Sequence, residues 1–263
     1  MFDLRAYLER IGLEGAQPSL AELHVAHGAG IPFEALDPQR GVPISLDDAD
    51  LQRKLVHERR GGYCFEQNLL LKAALEALGF DEVELYLARV LLGGPAAPTR
   101  PRSHLLLKVR ADGSDWHADV GFGGSTPLEP LPWGPGEEHE QAGWRYRVVE
   151  AGPEYVLQTF EDGGWSDLYT FLPHPVPKID VEAINWWTST HPSSAFVNGL
   201  LVGRQWADGR RLALSDWGEL SLLERTAEQA TRTSVERAEI PRLLADRFEL
   251  PGFELADDGR LVC

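Results

Sequence analysis

Cysteine is nearly absent from this sequence, which contains two in 263 residues, Cys64 and Cys263. Two such distant cysteines offer neither a disulfide framework nor a paired CxxC metal site. Long apolar runs are missing as well: no stretch approaches the length of a membrane-spanning helix, and the first eight residues lack the apolar core of a signal peptide. These absences predict a reduced protein of the cytoplasm, with no metal and no membrane partner.

Basic residues are in short supply too, with 25 lysines and arginines against 41 aspartates and glutamates and a formal net charge of −16. A nucleic-acid partner is therefore not expected, because phosphate contacts need a basic face. A local basic pocket for an anionic ligand stays open, and its candidates are Arg59, Arg60, Arg100 and Arg102. The length fits one large domain or two to three small ones.

The spacing of apolar residues changes along the chain. Up to about residue 80 it is helical, with Ser19 suited to cap a second helix and Ser45 or Asp47 a third. An apolar loop with two prolines, residues 31–38, separates these two helices. After Gly79 the composition is that of strands, and we expect them at 83–92, 104–110, 116–122, 146–149, 155–160 and 168–172.

The turns and the final third complete the predicted architecture. Residues 111–114 are typical of a hairpin turn, whereas 93–101 and 123–143 are predicted as loops. Ser234 can cap a last helix and Pro241 can break it. The elements expected in the final third are a helix at 181–190, strands at 199–206 and 211–214, and a helix at 235–248. Helices, then strands, then a mixed tail favour an α+β fold with a small antiparallel sheet or barrel.

Cys64 lies in the segment RRGGYCFEQN, residues 59–68. The two glycines before it permit a sharp turn and a close approach of other groups. After it, apolar residues recur at helical spacing as far as Leu78. Cys64 is thus predicted at the start of a helix, where free backbone N–H groups and the helix dipole favour a thiolate. Most free cysteines are simply small buried hydrophobes, but this position favours a nucleophile.

A thiol nucleophile needs a base, since a thiol with a pKa of about 8.5 is only a few per cent thiolate at neutral pH. His104 opens a strongly apolar strand, and the hairpin can bring Asp119 close to it across the ladder. His117, two residues from Asp119, shares its strand face, so spacing leaves both histidines open as the base. His24 and His27 are predicted to be ordinary surface or core histidines.

Four segments, in this order, resemble the signatures of the arylamine N-acetyltransferases: IPFE (31–34), RGGYCFEQN (60–68), SHLLL (103–107) and DVGFGG (119–124). Four ordered motifs are far more specific than any one alone. The likeness spans about the first half of the chain. One departure is Ala35, where the family usually has asparagine, and it affects the hydrogen bonding expected for that loop.

The resemblance implies a catalytic triad of Cys64, His104 and Asp119, which selects His104 over His117 by analogy. It also implies a core like that of papain-type thiol enzymes within an α+β fold of three domains. These would be an N-terminal helical bundle over residues 1–82, a central antiparallel β-barrel over 83–190 and a C-terminal α/β lid over 191–263.

The activity implied is acetyl transfer from acetyl-coenzyme A to the nitrogen, or the N-hydroxy oxygen, of arylamines and arylhydrazines. The mechanism would be ping-pong through an acetyl-cysteine, without a metal. The resemblance leaves a homodimer open. Phenylalanines that could line the aromatic acceptor pocket are Phe33, Phe122 and Phe196. Residues that could border the coenzyme, where glycine permits close approach, are Ser103, Gly123 and Gly124.

Other functions would use the same three catalytic residues. A related amide synthase, which closes a macrolactam, would keep the triad and change the pocket. A thiol hydrolase or transglutaminase-like enzyme shares the order cysteine, histidine, aspartate. A non-catalytic binding protein is disfavoured by the intact triad. An assay of acetyl-coenzyme A with simple arylamines distinguishes an acetyltransferase, which turns them over, from the amide synthase. Rapid hydrolysis of the acyl-enzyme by water would identify the thiol hydrolase.

Overall fold

A computed structural model describes residues 2–15, 17–92 and 100–263, so most of the loop predicted at 93–101 lies outside the described residues. None of the helices in these ranges has the length and apolar composition that crossing a bilayer requires. The α-helices are α1 (Leu4–Arg10), α2 (Leu20–Gly30), α3 (Leu36–Gln39), α4 (Asp48–Leu51), α5 (Cys64–Ala77), α6 (Lys178–Thr190), α7 (Ala195–Asn198) and α8 (Ile240–Phe248).

Helices α2 and α4 begin directly after Ser19 and Asp47, two of the predicted caps, although the Asp47 side chain forms no capping hydrogen bond. Ser19 and Glu22 form a reciprocal capping box at the start of α2, in which each side chain accepts the other residue's backbone N–H. Asp47 precedes α4, which passes directly into a π-helical turn, Gln52–His57, that the sequence pattern did not predict. Helix α5 begins at Cys64, as expected from the glycine pair before it.

The loop predicted at 31–38 is instead ordered secondary structure. Phe33–Glu34 forms a short strand, β1, and α3 follows it. Ala35 stands at the N-cap of α3 without a side-chain cap, and the Glu34 carboxylate accepts the Leu36 N–H at 2.8 Å in its place. The prediction was wrong because the partner of β1 lies about 170 residues further along the chain.

An eight-stranded antiparallel sheet, curved into a barrel-like shape, occupies the middle of the described chain. It confirms the predicted hairpin: Asp112 and Gly113 both have positive φ, and Ala111 pairs with Ser114. Two short strands lie within the loop predicted at 123–143. The strands are β2 (Val83–Val90), β3 (His104–Ala111), β4 (Ser114–Ala118), β5 (Leu131–Pro132), β6 (His139–Gln141), β7 (Trp144–Ala151), β8 (Glu154–Glu161) and β9 (Gly164–Phe171).

Strand β3 has an apolar residue on both of its faces. Leu105 and Leu107 pack with the helices, in the core that includes α5, whereas Leu106 packs inside the barrel-like sheet. Burial on both faces explains the nearly continuous apolar run of this strand. His104 at its first position is buried with it, and the strand thereby fixes the imidazole beside the N-terminal end of α5.

A second antiparallel sheet of five strands has the order β1-β10-β11-β12-β13, so the N-terminal region contributes its edge strand. The sequence pattern missed β12, and it missed β13 because that strand is exposed throughout. Ser234 ends β13 and caps no helix, while Pro241 falls in the first turn of α8, where its missing N–H is harmless. The remaining strands are β10 (Leu201–Gln205), β11 (Arg211–Ser215), β12 (Ser221–Arg225), β13 (Ala230–Ser234), β14 (Glu254–Leu255) and β15 (Leu261–Val262).

These elements confirm the α+β class, with helices first, a barrel-like sheet next and a mixed tail last. The division into domains at 1–82, 83–190 and 191–263 stays a prediction. Pairing of β1 with β10 ties the first of these segments to the third, with Phe33 opposite Gly203 and Glu34 opposite Val202.

Candidate active site

Cys64 is the first residue of α5 and is 3% exposed. The Glu66 side chain accepts the N–H of Tyr63 at 3.0 Å and so caps the helix one residue before the cysteine. Cys64 Sγ lies 3.7 Å from the carbonyl oxygen of Ser103, the residue that precedes β3. The helix start therefore holds the sulfur against the beginning of the histidine strand.

His104 and Asp119 form a buried pair, with His104 Nε2 2.7 Å from Asp119 Oδ2. The pairing leaves Nδ1 as the ring nitrogen available to the Cys64 sulfur. Burial by itself would lower the pKa of His104, but the Asp119 charge, its hydrogen bond and the neighbouring Cys64 outweigh burial and raise the pKa to about 10. The imidazole is therefore protonated at neutral pH.

Asp119 accepts hydrogen bonds on both of its oxygens. Oδ2 accepts from His104 and from the Tyr169 hydroxyl at 2.8 Å, and Oδ1 accepts from Asn68 at 3.0 Å and from the Gly121 N–H at 2.9 Å. Burial alone would raise the pKa of Asp119, yet the His104 charge and these donors hold it well below its usual range. The carboxylate is consequently charged and fixed in orientation.

His117, the other histidine considered as the base, reaches Asp119 only through Tyr169. Its Nε2 lies 2.7 Å from the Tyr169 oxygen, which in turn donates to Asp119. Burial lowers the pKa of His117 to about 4, so this imidazole is neutral. His104 has the direct contact with the carboxylate, and His117 belongs to the barrel interior behind it.

His24 has a part in the site that the sequence pattern did not indicate. Its Nε2 accepts the backbone N–H of Asp119 at 3.0 Å, while its Nδ1 donates to the Leu128 carbonyl at 2.8 Å. Burial lowers the pKa of His24 to about 4, which keeps Nε2 free of a proton and able to accept. No local signal could reveal this contact, because 95 residues separate the two partners.

The segment after Asp119 touches α5, and glycine makes this contact feasible. A Cβ added at Gly121 would lie 2.7 Å from Cys64 Cα and 2.9 Å from Asn68 Nδ2. Real Cβ atoms do not come so close to backbone carbon, so any side chain at this position would push the segment away from α5. Gly121 thus sets the spacing between Cys64 and Asp119.

A buried network of charges lies behind the Gly61–Gly62 turn. Arg60 pairs with Glu34 at 2.6 Å and with Asp37 at 2.9 Å, and Lys54 pairs with Asp37 and Glu66, both at 2.7 Å. Burial raises the pKa of Glu66 to about 7, with Lys54 opposing the rise. The guanidinium of Arg60 is therefore neutralised by carboxylates of the protein itself. It stabilises the fold and is not available to bind an anionic ligand.

We expect Arg60→Met to lower the free energy of unfolding by about 3 kcal/mol, because it removes the direct partner of the buried Glu34 carboxylate and leaves Asp37 paired with Lys54 alone. The matched control is Arg53→Met, whose side chain is 58% exposed against 13% for Arg60 and pairs with Asp50 and Glu58 at the surface. That change should alter stability by less than about 1 kcal/mol. Urea unfolding measures both. Equal losses would show that the buried network does not stabilise the fold.

The three phenylalanines predicted for an acceptor pocket fall into two groups. Phe33 and Phe196 are neighbours, with ring centroids 6.3 Å apart, and Trp217 extends this row outward at 5.8 Å from Phe196. Phe122 instead packs edge-on against the His104 ring at 4.9 Å. Trp217 is half-exposed and lies in the turn between β11 and β12, so the sequence pattern did not suggest it as a neighbour of these phenylalanines.

Of the residues predicted to border a coenzyme, Ser103 contacts Cys64, whereas Gly123 and Gly124 follow Phe122. Ser103 contacts the sulfur through its carbonyl oxygen. Gly123 has a φ of +74°, and a Cβ placed there would lie 3.6 Å from the Phe33 ring, whereas Gly124 faces open space. Among the described residues, no three histidine, cysteine, aspartate or glutamate side chains are grouped to hold a metal ion.

A thiol at a helix start, beside an imidazole paired with a buried carboxylate, is an arrangement found in the class of enzymes that form acyl-cysteine intermediates, both acyltransferases and hydrolases. A family model described as N-acetyltransferase matches residues 18–253. An arylamine N-acetyltransferase of Mycolicibacterium smegmatis is 43% identical over 216 residues, covering 79% of this chain and 78% of that protein. The chain belongs to the arylamine N-acetyltransferase family.

Two further likenesses extend over nearly the whole chain. An arylamine N-acetyltransferase of Mycobacterium bovis is 38% identical over 271 residues, covering 98% of this chain and 91% of that protein. The solved structure of the Mycobacterium marinum arylamine N-acetyltransferase in complex with CoA superposes with a TM-score of 0.88 at 37% identity, covering 94% of this chain and 93% of that one. These structural relatives confirm the papain-like thiol-enzyme core.

Proposed function

We propose that this enzyme transfers an acetyl group from acetyl-coenzyme A to the nitrogen of arylamines and arylhydrazines, or to the oxygen of N-hydroxyarylamines. The observation that carries the proposal is the buried constellation of Cys64, His104 and Asp119, with its 2.7 Å hydrogen bond between imidazole and carboxylate. Family membership and the CoA complex of the Mycobacterium marinum relative support the donor.

In the first half-reaction the Cys64 thiolate attacks the carbonyl carbon of the acetyl thioester. The protonated His104 beside it stabilises the thiolate before attack and donates a proton to the coenzyme sulfur as the carbon–sulfur bond breaks. The oxyanion of the tetrahedral intermediate meets backbone N–H groups at the start of α5, that of Cys64 included. Coenzyme A leaves and acetyl-cysteine remains.

In the second half-reaction the amine nitrogen attacks the acetyl carbon on Cys64. His104, now neutral, takes the proton that the nitrogen loses, and Cys64 leaves as a thiolate when the intermediate collapses. Asp119 stabilises the imidazolium that forms and keeps Nδ1 facing the sulfur. Both half-reactions are complete without a metal, and the resting state returns with its ion pair.

The substrate contacts follow from the same geometry. We assign Phe33 and Phe196 to one wall of the acceptor site, where aromatic edges and faces suit an aryl ring, with Phe122 packed on the catalytic imidazole. We assign Ser103, Gly123 and Gly124 to the coenzyme, because the Ser103 carbonyl lies beside Cys64 and the two glycines permit a close approach to the backbone. Division into three domains, a cytoplasmic location and a homodimer remain predictions.

The experiment that tests the proposed function is an assay of coenzyme A release from acetyl-coenzyme A across a panel of arylamines and arylhydrazines. We expect release to depend on both substrates, with the parallel double-reciprocal lines of a ping-pong mechanism. Activity with none of the simple amines would favour the macrolactam-forming amide synthase. Rapid release without any amine would favour the thiol hydrolase.

The choice between the two barrel histidines is testable with matched glutamine variants. His104→Gln should abolish transfer, because the thiolate loses its imidazolium and the amine loses its base. His117→Gln should reduce kcat by less than about tenfold, since its amide can still donate to Tyr169. Steady-state rates with one arylamine give both values. Equal damage from the two changes would reopen the assignment of the base.

A further inference from the structure

Arg211, the first residue of β11, is buried beneath the segment 123–126 that follows Phe122. It is 2% exposed. Its Nη1 donates to the Gly124 carbonyl at 3.1 Å, and its Nη2 donates to the Thr126 carbonyl at 3.0 Å and to the Tyr146 hydroxyl. The guanidinium carbon lies 3.9 Å from the centre of the Trp144 ring. Arg211 thereby joins the second sheet, strand β7 and the segment 123–126.

The charge of Arg211 is not balanced by a carboxylate. Over the described ranges, no acidic oxygen lies within 4.0 Å of its guanidinium, and its Nε has no hydrogen-bond partner. Glu161 nearby pairs with Arg225 at 2.9 Å, and Arg225 shares the Trp144 ring with Arg211. Two guanidinium groups and one carboxylate leave a local excess of one positive charge. Burying an unpaired cation lowers the stability of the fold. A role of Arg211 in function would explain why this cost is tolerated.

The contacts of Arg211 set the conformation of the segment 123–126. The carbonyls of Gly124 and Thr126 are held toward the guanidinium, and the Thr126 N–H and hydroxyl both donate to the Gly123 carbonyl, at 3.3 and 3.0 Å. Because N–H and C=O of a trans peptide point in opposite directions, the Ser125 N–H is turned away from Arg211. Within residues 2–15, 17–92 and 100–263, no atom comes within 4 Å of where a Cβ of Gly124 would lie, so this side of the segment is available for a bound molecule.

We propose that Arg211 is a positioning residue for the acetyl donor. Its guanidinium group, through hydrogen bonds to two carbonyls, holds the segment 123–126 in the conformation that receives coenzyme A. Its unpaired positive charge favours a donor that carries phosphates. The inference rests on the proposed function, in which Gly123 and Gly124 border the coenzyme. It assigns to Arg211 no contact with the reacting atoms, so its effect should fall on donor binding and not on the chemistry of Cys64.

The test compares two acetyl donors, acetyl-coenzyme A and p-nitrophenyl acetate, which delivers the same acetyl group without phosphates or a pantetheine chain. Arg211→Met removes both the guanidinium hydrogen bonds and the positive charge, whereas Arg211→Lys keeps the charge but not the paired hydrogen bonds. The matched control is Arg210→Met, an exposed neighbour that pairs with Asp208 at the surface. Steady-state KM and kcat are measured for each donor at a saturating arylamine concentration.

We expect Arg211→Met to raise KM for acetyl-coenzyme A by about tenfold or more with kcat within about threefold, and to leave kcat/KM for p-nitrophenyl acetate within about threefold. Arg211→Lys should fall between it and the unchanged enzyme. Equal losses with both donors, or an unchanged KM in both Arg211 variants, would overturn the proposal. If Arg211→Met does not fold, Arg211→Lys decides the question by the same donor ratio.

Failure of the proposed function gives a different result from failure of the Arg211 proposal. If the unmodified enzyme uses p-nitrophenyl acetate but not acetyl-coenzyme A, the donor assignment itself is wrong. If the unmodified enzyme uses both donors and the Arg211 variants lose neither or both alike, the donor assignment stands and the role of Arg211 is wrong. Arg210→Met should match the unmodified enzyme with either donor.

Discussion

Cys64→Ala is expected to reduce acetyl transfer to the background of the uncatalysed reaction. The acetyl group has no other acceptor in the proposed mechanism, because the thiolate forms the covalent intermediate and is also the leaving group of the second step. The cavity left by a single buried sulfur is small, so the variant should keep its fold, which circular dichroism can check. The assay is release of coenzyme A in the presence of an arylamine.

Cys263→Ala is the matched control for this change. Cys263 is exposed, and Cys64 is the buried thiol of the pair. We expect the Cys263 variant to retain full activity, because no step of the mechanism involves it. Substantial turnover by Cys64→Ala, or equal loss in the two variants, would contradict the assignment of the nucleophile.

Asp119→Asn should lower kcat by roughly 10³ to 10⁴-fold while the protein remains folded. An asparagine keeps the shape of the side chain but loses the charge that His104 and Tyr169 both face. Its amide can also donate to His104 Nε2 and so stabilise the wrong tautomer. The matched control is Asp115→Asn, a change at a partly exposed residue of β4 that weakens its pairs with Lys108 and Arg110 and should leave kcat nearly unchanged.

The same variant predicts a change in the titration of His104. In the unmodified enzyme burial lowers the pKa of His104, but the Asp119 charge and hydrogen bond outweigh burial and raise the pKa to about 10. The imidazole should therefore keep its proton up to about pH 9 and lose it only as the pH rises through that pKa. In Asp119→Asn the charge is gone and burial dominates, so the imidazole should lose its proton at a lower pH. NMR of histidine ring signals against pH measures both proteins, and an unchanged His104 titration in the variant would contradict the account.

Local patterns were sufficient for much of the fold. The Ser19 and Glu22 capping box, the Asp112–Gly113 hairpin and the helix start at Cys64 each depend on residues a few positions apart, so the sequence specifies them directly. The change from helical to strand spacing after Gly79 located the boundary between the helices and the barrel-like sheet in the same way.

Other parts of the fold leave no distinctive local pattern in the sequence. Strand β1 exists because Phe33 and Glu34 pair with β10, about 170 residues further along the chain, and β13 has no buried residue to mark it. Pro241 resembled a helix breaker and proved to lie in a first turn, a distinction that depends on where the helix begins. The first case depends on a distant partner, the second on a strand without an apolar face, and the third on the position of a helix start.

The residues of the candidate site show the same difference between local patterns and long-range contacts. Cys64 could be singled out from its helix start, but spacing alone left His104 and His117 as alternatives until the resemblance favoured one. The contact between His24 and Asp119, and that between Arg211 and the segment 123–126, join residues 85 to 95 positions apart. Only the three-dimensional arrangement brings the buried histidine to Asp119 and the buried arginine to the segment 123–126.

The acetyl-cysteine is the central element of the account, and mass spectrometry of the enzyme mixed with acetyl-coenzyme A alone tests it most directly. With no amine present, we predict that the intact protein gains one acetyl group, that peptide mapping locates it on Cys64, and that adding an arylamine removes it. Acetylation located on another residue, or full transfer to the amine by an enzyme whose Cys64 is never acetylated, would contradict the mechanism.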